Sequence, residues 1–132
     1  MITSSSVLGV RESRRIIGEY YITEEDILCG AKFDDAVAYV TFGADLHTKS
    51  NKGQRCFKVQ PYNIPMRALI PKGYDGIVVA GRCISGSREA MASYRVTGDC
   101  AQMGESAGYY IAEAIKHKIS LLDVKLRLKL TV

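Results

Sequence analysis

Residues 76–117, GIVVAGRCISGSREAMASYRVTGDCAQMGESAGYYIAEAIKH, decide how this chain is read. The run Ile77-Val78-Val79-Ala80 is apolar and mostly β-branched, shows no alternation, and ends at Gly81. A run of this kind bounded by glycines predicts a strand buried on both faces, as in a parallel sheet. A loop rich in Gly and Ser follows, then a long helical segment. Val96-Thr97-Gly98 marks the start of that helix, with Thr97 or Asp99 as its cap. Cys100, Met103, Gly104, Ala107, Ile111, Ala114 and Ile115 fall on one stripe at helical spacing and predict its core face. Gly104 and Gly108 would permit close approach by a neighbouring backbone or a cofactor. Strand, glycine turn and helix N-terminus in this order form a common phosphate- or cofactor-facing unit, because unpaired backbone N–H groups point outward there.

Two nucleotide motifs are missing. Gly81-Arg-Cys-Ile-Ser-Gly86-Ser87 approaches a phosphate-binding loop but lacks its lysine, which disfavours an NTPase. A dinucleotide fingerprint, GxGxxG after a strand, occurs nowhere in the 132 residues.

Upstream, Arg11, Arg14 and Arg15 precede a bulky stretch, and residues 14–22 suit a strand. By composition alone these arginines read as a solvated strand end with local ion pairs. Thr23-Glu24-Glu25-Asp26 is a helix start, with a Thr cap and a carboxylate three residues later; Ile27 and Leu28 would face the core and Gly30 would stop the helix. Residues 36–42, AVAYVTF, give a second strand. The polar stretch 43–61 is a hairpin or a surface excursion with a turn at Asn51-Lys52-Gly53. Asp45 and His47 would share one face of a strand, where the carboxylate could orient the imidazole for proton transfer; an ordinary polar contact is the plainer reading. Residues 62–71 form an extended segment punctuated by prolines. Arg67 lies among apolar neighbours there, and a buried arginine needs a carboxylate or an anionic ligand. Glu89 would pair with Arg82, Arg88 or Arg95. In the tail, Ser120-Leu121-Leu122-Asp123 looks like a helix start, whereas residues 124–132 alternate strictly, as a strand with one apolar face does.

Composition bounds the rest. The chain is 47% hydrophobic with a net charge of +4, which suits a single small globular domain or a piece of a larger one. Its positive charges are dispersed, with no basic stripe interleaved with aromatics, so nucleic acid is not an expected partner. Cys29, Cys56, Cys83 and Cys100 lie far apart without metal spacing, so no metal site is expected and the thiols read as reduced. No signal peptide or membrane-length apolar run is evident, and the expected location is the cytoplasm.

GIVVAGRCIS, REAMASYRV and GESAG, with GVRESRRIIGEYYITEEDIL and YNIPMRALIPKGYDG before them, resemble in order the C-terminal flavin-binding segment of a family of bacterial FAD-dependent oxidoreductases. The fold of that family is similar to fumarate-reductase and glutathione-reductase flavoproteins. The resemblance implies an α/β or α+β fold. Residues 1–75 would be a partial substrate-facing region with strands and a short helix, and residues 76–132 the C-terminal part of an FAD-binding fold, its buried parallel strand followed by the long helix. It implies FAD contact by Gly81, Arg82, Ser85, Ser93, Arg95, Val96, Thr97 and Gly98. The helix N-terminus would face the N1/O2 edge of the flavin ring and stabilise negative charge there. Arg14 and Arg15 would belong to the flavin- and substrate-facing wall, and with His47 and Arg67 would meet the charge and polarity of a small organic substrate. An acidic residue followed shortly by His also occurs in the family at Asp45 and His47. Related flavoproteins often carry Asp where this chain has Arg82, and many family members carry His where it has Met91, which cannot relay protons. The family's fingerprint for the pyrophosphate is missing, so weak or absent FAD binding and no activity are expected of this chain alone. A separate N-terminal flavoprotein half or a homodimer would complete it. A non-catalytic binding or assembly module stabilised by oligomerisation is the alternative.

Overall fold

A computed structural model describes residues 12–47 and 55–124. Readings that fall on residues 1–8, on the Asn51–Gly53 turn and on the tail beyond 124 lie outside these residues. Three α-helices, α1 (Glu24–Cys29), α2 (Arg88–Tyr94) and α3 (Thr97–His117), accompany four short strands, β1 (Ala36–Val40), β2 (Ala44–Leu46), β3 (Arg55–Phe57) and β4 (Tyr62–Pro65). The mixed α and β class is therefore present. Both sheets are two-stranded and antiparallel, β1 with β4 and β2 with β3.

Helix α1 follows the chemistry of its ends. Thr23 accepts from the Asp26 N–H, the Asp26 side chain accepts in return from the Thr23 N–H, and Gly30 ends the helix at φ 73°. Such a cap contributes about 1 kcal/mol. Ile27 is buried but Leu28 is not, because successive helical residues point about 100° apart. The expected strand over 36–42 appears as β1, ending at Val40. The polar stretch after it folds as the β2–β3 hairpin.

Residues 14–22 are extended, but without the ladder of a regular strand. Backbone bonds reach out from them on two sides. The N–H groups of Glu19 and Tyr20 donate to the Ile70 and Arg67 carbonyls, and Lys72 N–H donates to the Ile17 carbonyl. On the other side, the N–H groups of Ile16 and Ile22 donate to the Cys83 and Ser85 carbonyls, and Ser87 N–H donates to the Ile22 carbonyl. Single bridges, antiparallel at Gly18–Pro71 and parallel at Ile22–Gly86, replace continuous pairing.

The expected buried strand at residues 77–80 is not formed. Ile77 is 48% exposed and Val78 and Val79 are half-buried. A strand needs neighbours on its edges, and this run makes one such bond, from Val79 N–H to the Leu69 carbonyl at 2.9 Å. The run is apolar enough for a sheet interior but has no sheet around it here.

Helix α2 was not anticipated as a separate element. Ser87 caps it by accepting from the Ala90 N–H, and its residues from Ala90 to Tyr94 are all buried. Helix α3 begins at Thr97, with Val96 in the cap position and no side-chain cap bond. Thr97 and Asp99 thus lie in the first turn and do not cap it. Its buried face is Met103, Ser106, Ala107, Tyr110 and Ala114. The expected stripe was rotated: Ile111 and Ile115 are 39% and 72% exposed, and open space surrounds Gly104 and Gly108.

Side chains of α3 close one edge of β1. Gln102 Oε1 accepts from the Tyr39 N–H at 2.7 Å, and the Ser106 hydroxyl donates to the Val37 carbonyl at 2.7 Å. Residues 37 and 39 point their backbone groups the same way, and positions four apart on a helix lie one above the other, so the two spacings match. Pro65 leads into a short 3-10 turn (Met66–Ala68), and Ser120 into another (Leu121–Asp123). One contiguous core, from Ile22 to Leu121, joins residues on both sides of position 75.

Gly18 sits where the extended stretches meet. A Cβ there would lie 2.7 Å from Ser85 Cβ, 3.1 Å from the Tyr20 carbonyl oxygen and 3.2 Å from that of Ala68. Two of these neighbours are backbone and cannot swing aside. Gly18→Ala is expected to destabilise the fold by about 1–3 kcal/mol, read as a lower urea midpoint. An unchanged midpoint would show that the stretches are not packed this closely.

Candidate active site at the α2–α3 junction

The turn from Ser93 to Cys100 gathers contacts from four parts of the chain. The buried Ser93 hydroxyl donates to the Phe42 carbonyl and accepts from the Tyr62 hydroxyl at 3.1 Å. Tyr94 OH donates to the Ile84 carbonyl at 3.4 Å. Arg95 Nη2 donates to the Asp45 carbonyl at 2.7 Å and lies 4.0 Å from its carboxylate. Cys100 Sγ is 3.7 Å from the position a Gly81 Cβ would take. Gly81 has φ 90°, a conformation suited to glycine.

Asp45 on β2 and His47 just after it do meet, with Nε2 of His47 3.2 Å from Oδ2 of Asp45. Arg88 adds a second cation: it donates to the His47 carbonyl and forms an ion pair with Glu12, Nε to Oε2 at 2.9 Å. Cys56 Sγ donates to Asp45 Oδ1 at 3.4 Å from β3. A hollow of about 440 Å³ opens beside this group, lined by Phe42, Asp45, Cys56 and Phe57 among others. His47 and Arg95, the latter expected at the cofactor, therefore share Asp45 as a partner.

Arg15 is half-buried, and its charge opposes the strong rise that burial imposes on the Tyr94 phenol. Arg14 is exposed, as are Arg82, Thr97 and Gly98. Arg82 lies close enough to Cys100 to favour its thiolate, against burial, which raises the thiol's pKa. Ser85 and Ser93 are fully buried, and Val96 is half-buried.

Arg67 lies apart from the junction and is not the buried arginine its neighbours suggested. Its guanidinium is half-exposed and grips Asp35 in two contacts, Nε–Oδ2 at 2.9 Å and Nη2–Oδ1 at 3.2 Å, above the Tyr20 ring. Its required partner is a carboxylate of the same chain. This pair lines a separate hollow of about 590 Å³ with Met66, Ile70, Tyr110 and Leu121. Tyr20, in the same group, has its phenol pushed up to about 12 by burial and by Asp26. The arginines near Glu89 also found other partners: Arg88 takes Glu12 and Arg95 takes Asp45.

Three buried polar atoms among the described residues have no hydrogen-bond partner: Ser85 Oγ, Arg95 Nη1 and Asp99 Oδ2. Ser85 Oγ, Arg95 Nη1 and the N–H groups of the uncapped first turn of α3, whose Thr97 and Gly98 are exposed, are donors suited to a polar, partly anionic ring edge, whereas the Asp99 carboxylate oxygen accepts. Such residues fit the ring end of FAD. Tyr62 and Asp99 were not legible as site residues. Tyr62 reaches Ser93 across 31 positions, and no local pattern encodes a pairing of that span.

Burial pushes Asp99 up to about 6 from its ordinary 3.8. A raised folded value means this carboxyl's stabilising contribution is complete below pH 3.8 and is lost as pH rises through about 6. Asp99→Asn should therefore remove a fall in the urea midpoint across that window, on the order of 1 kcal/mol after allowance for its partial exposure. Parallel pH profiles for the two proteins would contradict this.

No curated protein and no solved structure gives a significant match to the chain. A family model described as FAD dependent oxidoreductase matches residues 3–130. With nearly its whole length matched, the chain belongs to the FAD-dependent oxidoreductase family.

Proposed function

We propose that this chain forms the ring-facing and substrate-facing part of a fumarate-reductase- or glutathione-reductase-like enzyme that moves hydride or electrons between a small organic substrate and FAD. The observation that carries this reading is the convergence on the α2–α3 junction. Ser93, Arg95, Val96, Thr97 and Gly98 lie there, Gly81 and Arg82 approach through Cys100, and His47, just after β2, is linked through Asp45. FAD, when bound, supplies a ring that accepts and returns an electron pair.

The chain's own residues set the electrostatics around that ring. The first turn of α3 presents backbone N–H groups and the positive end of a 21-residue helix. Arg95 adds a fixed cation held by Asp45, and Arg82 a second near Cys100. Asp45 orients the His47 imidazole, a ring that can take up or give a proton. Arg14 and Arg15 would meet an anionic substrate. Arg67, tied to Asp35, lies apart from this junction in the separate hollow.

The 132 residues contain no GxGxxG, so in this proposal the pyrophosphate is held by residues other than these. The chain alone then binds FAD weakly or not at all, and saturation of flavin fluorescence quenching at roughly micromolar FAD would overturn that part. Co-expression with a GxGxxG-bearing polypeptide encoded next to it should give a yellow complex. Within that complex Gly98→Asp is the sharper test. Gly98 has open space around it, and an acid in the first turn favours the helix. The same charge opposes an electron-rich ring edge, so FAD affinity should fall roughly tenfold or more while α3 stays folded. Undiminished affinity would remove the ring from this helix end.

A second reading rests on the outer face of α3. Ile111, Ile115 and Ile119 line a hollow of about 400 Å³ and are 39%, 72% and 41% exposed. Apolar surface of this kind favours a non-catalytic assembly module held together by oligomerisation. A colourless dimer in sedimentation, taking up no FAD with any partner, would support it over the enzyme.

A further inference from the structure

Cys83 and Cys100 both approach the Ala80–Gly81 peptide. Cys83 Sγ donates to the Ala80 carbonyl at 3.5 Å, and Cys100 Sγ lies 3.7 Å from the position of a Cβ on the next residue, Gly81. Gly81 carries no side chain and turns with φ 90°, so no side-chain atom of that residue stands between the two sulfurs. Both thiols are free and half-buried. The other two cysteines are exposed and turned elsewhere: Cys29 Sγ donates to the Asp26 carbonyl, and Cys56 Sγ to the Asp45 carboxylate. They lie at the end of α1 and on β3.

We propose that Cys83 and Cys100 are an oxidisable dithiol whose disulfide ties the Gly81 turn to the first turn of α3. A low-molecular-weight disulfide such as oxidised glutathione is the oxidant. One protein thiolate attacks it, forming a mixed disulfide and releasing one glutathione thiolate. The second protein thiolate attacks the protein sulfur of that mixed disulfide, forming the Cys83–Cys100 bond and releasing the second glutathione. The protein gives up two electrons and two protons, and oxidised glutathione takes up both as two reduced molecules. Thiolates are the attacking species, so the reaction quickens as pH rises toward the thiol range. The charges facing the pair are Arg82, which favours the Cys100 thiolate, and Asp99, which opposes it.

The test needs only the chain without FAD. The full chain is incubated with oxidised glutathione, unreacted thiols are blocked, and the protein is digested without reduction and weighed by mass spectrometry. The expected result is a loss of two hydrogens and a cross-linked peptide containing Cys83 and Cys100. Cys83→Ser should convert this into a stable glutathione adduct on Cys100. The double variant Cys29→Ser, Cys56→Ser should keep the cross-link, which separates the result from any folding defect of Cys83→Ser. Separate adducts on Cys83 and Cys100 in the unmodified chain, or a cross-link to Cys29 or Cys56, would overturn the proposal. So would two thiols that stay reduced while Cys29 and Cys56 react.

Discussion

Backbone hydrogen bonds from residues 16–22 to two flanking stretches hold this structure in register. That stretch bonds to residues 67–72 on one side and to residues 83–87 on the other, so the chain's beginning, middle and Gly-rich loop are fixed together. Buried backbone groups must be paired, and here short bridges between extended pieces do the pairing that a wide sheet would otherwise do. The two flanking stretches also touch each other, through Ser85 N–H to the Ala68 carbonyl at 2.9 Å. Gly18 allows this close meeting. The core side chains Ile22, Ile70 and Ile84 then pack where the stretches meet.

The site follows from that arrangement. With residues 83–87 fixed, Ser87 caps α2 and sets the direction of its buried face. Helix α2 delivers Ser93, Tyr94 and Arg95 to carbonyls on three separate segments, and α3 leaves the same junction with its first turn uncapped. Gln102 and Ser106 anchor α3 to the edge of β1. The N-terminus of α3 is thus held from below by polar bonds and stays open at its tip. An open, positively polarised helix end beside Arg95 and the Asp45–His47 pair is a place where negative charge can develop at low cost. The orphaned oxygen of Asp99 sits in the same turn and makes its charge sensitive to pH near neutrality.

Much of this was legible where the signal was local. The Thr23–Asp26 capping box, the Gly30 stop, β1 and the Asp45–His47 pair are all set by spacings of a few residues, and all are present. The segment from Gly81 to Gly98 was recognisable through its motifs as a unit. Reading failed where an element depends on what lies beside it. Residues 77–80 have strand composition but find one carbonyl to bond. Periodicity on α3 gave a stripe rotated toward Ile111 and Ile115, because small residues at Gly104 and Gly108 fit a buried face as well as an open one. Arg67 looked buried by its neighbours in sequence, yet Asp35, 32 positions away, draws it to the surface. Long-range partners such as Tyr62–Ser93 and Arg88–Glu12 leave no trace in a local pattern.

Native-state amide hydrogen exchange tests the central claim most directly. If backbone bridges around residues 16–22 hold the fold together, the amides of Glu19, Tyr20, Ile22, Val79 and Ser85 should exchange only through global unfolding, as slowly as the core amides of α3. Exchange of these amides at the rate of exposed loops, while α3 remains protected, would show that the three stretches are not joined and that the junction has no fixed frame.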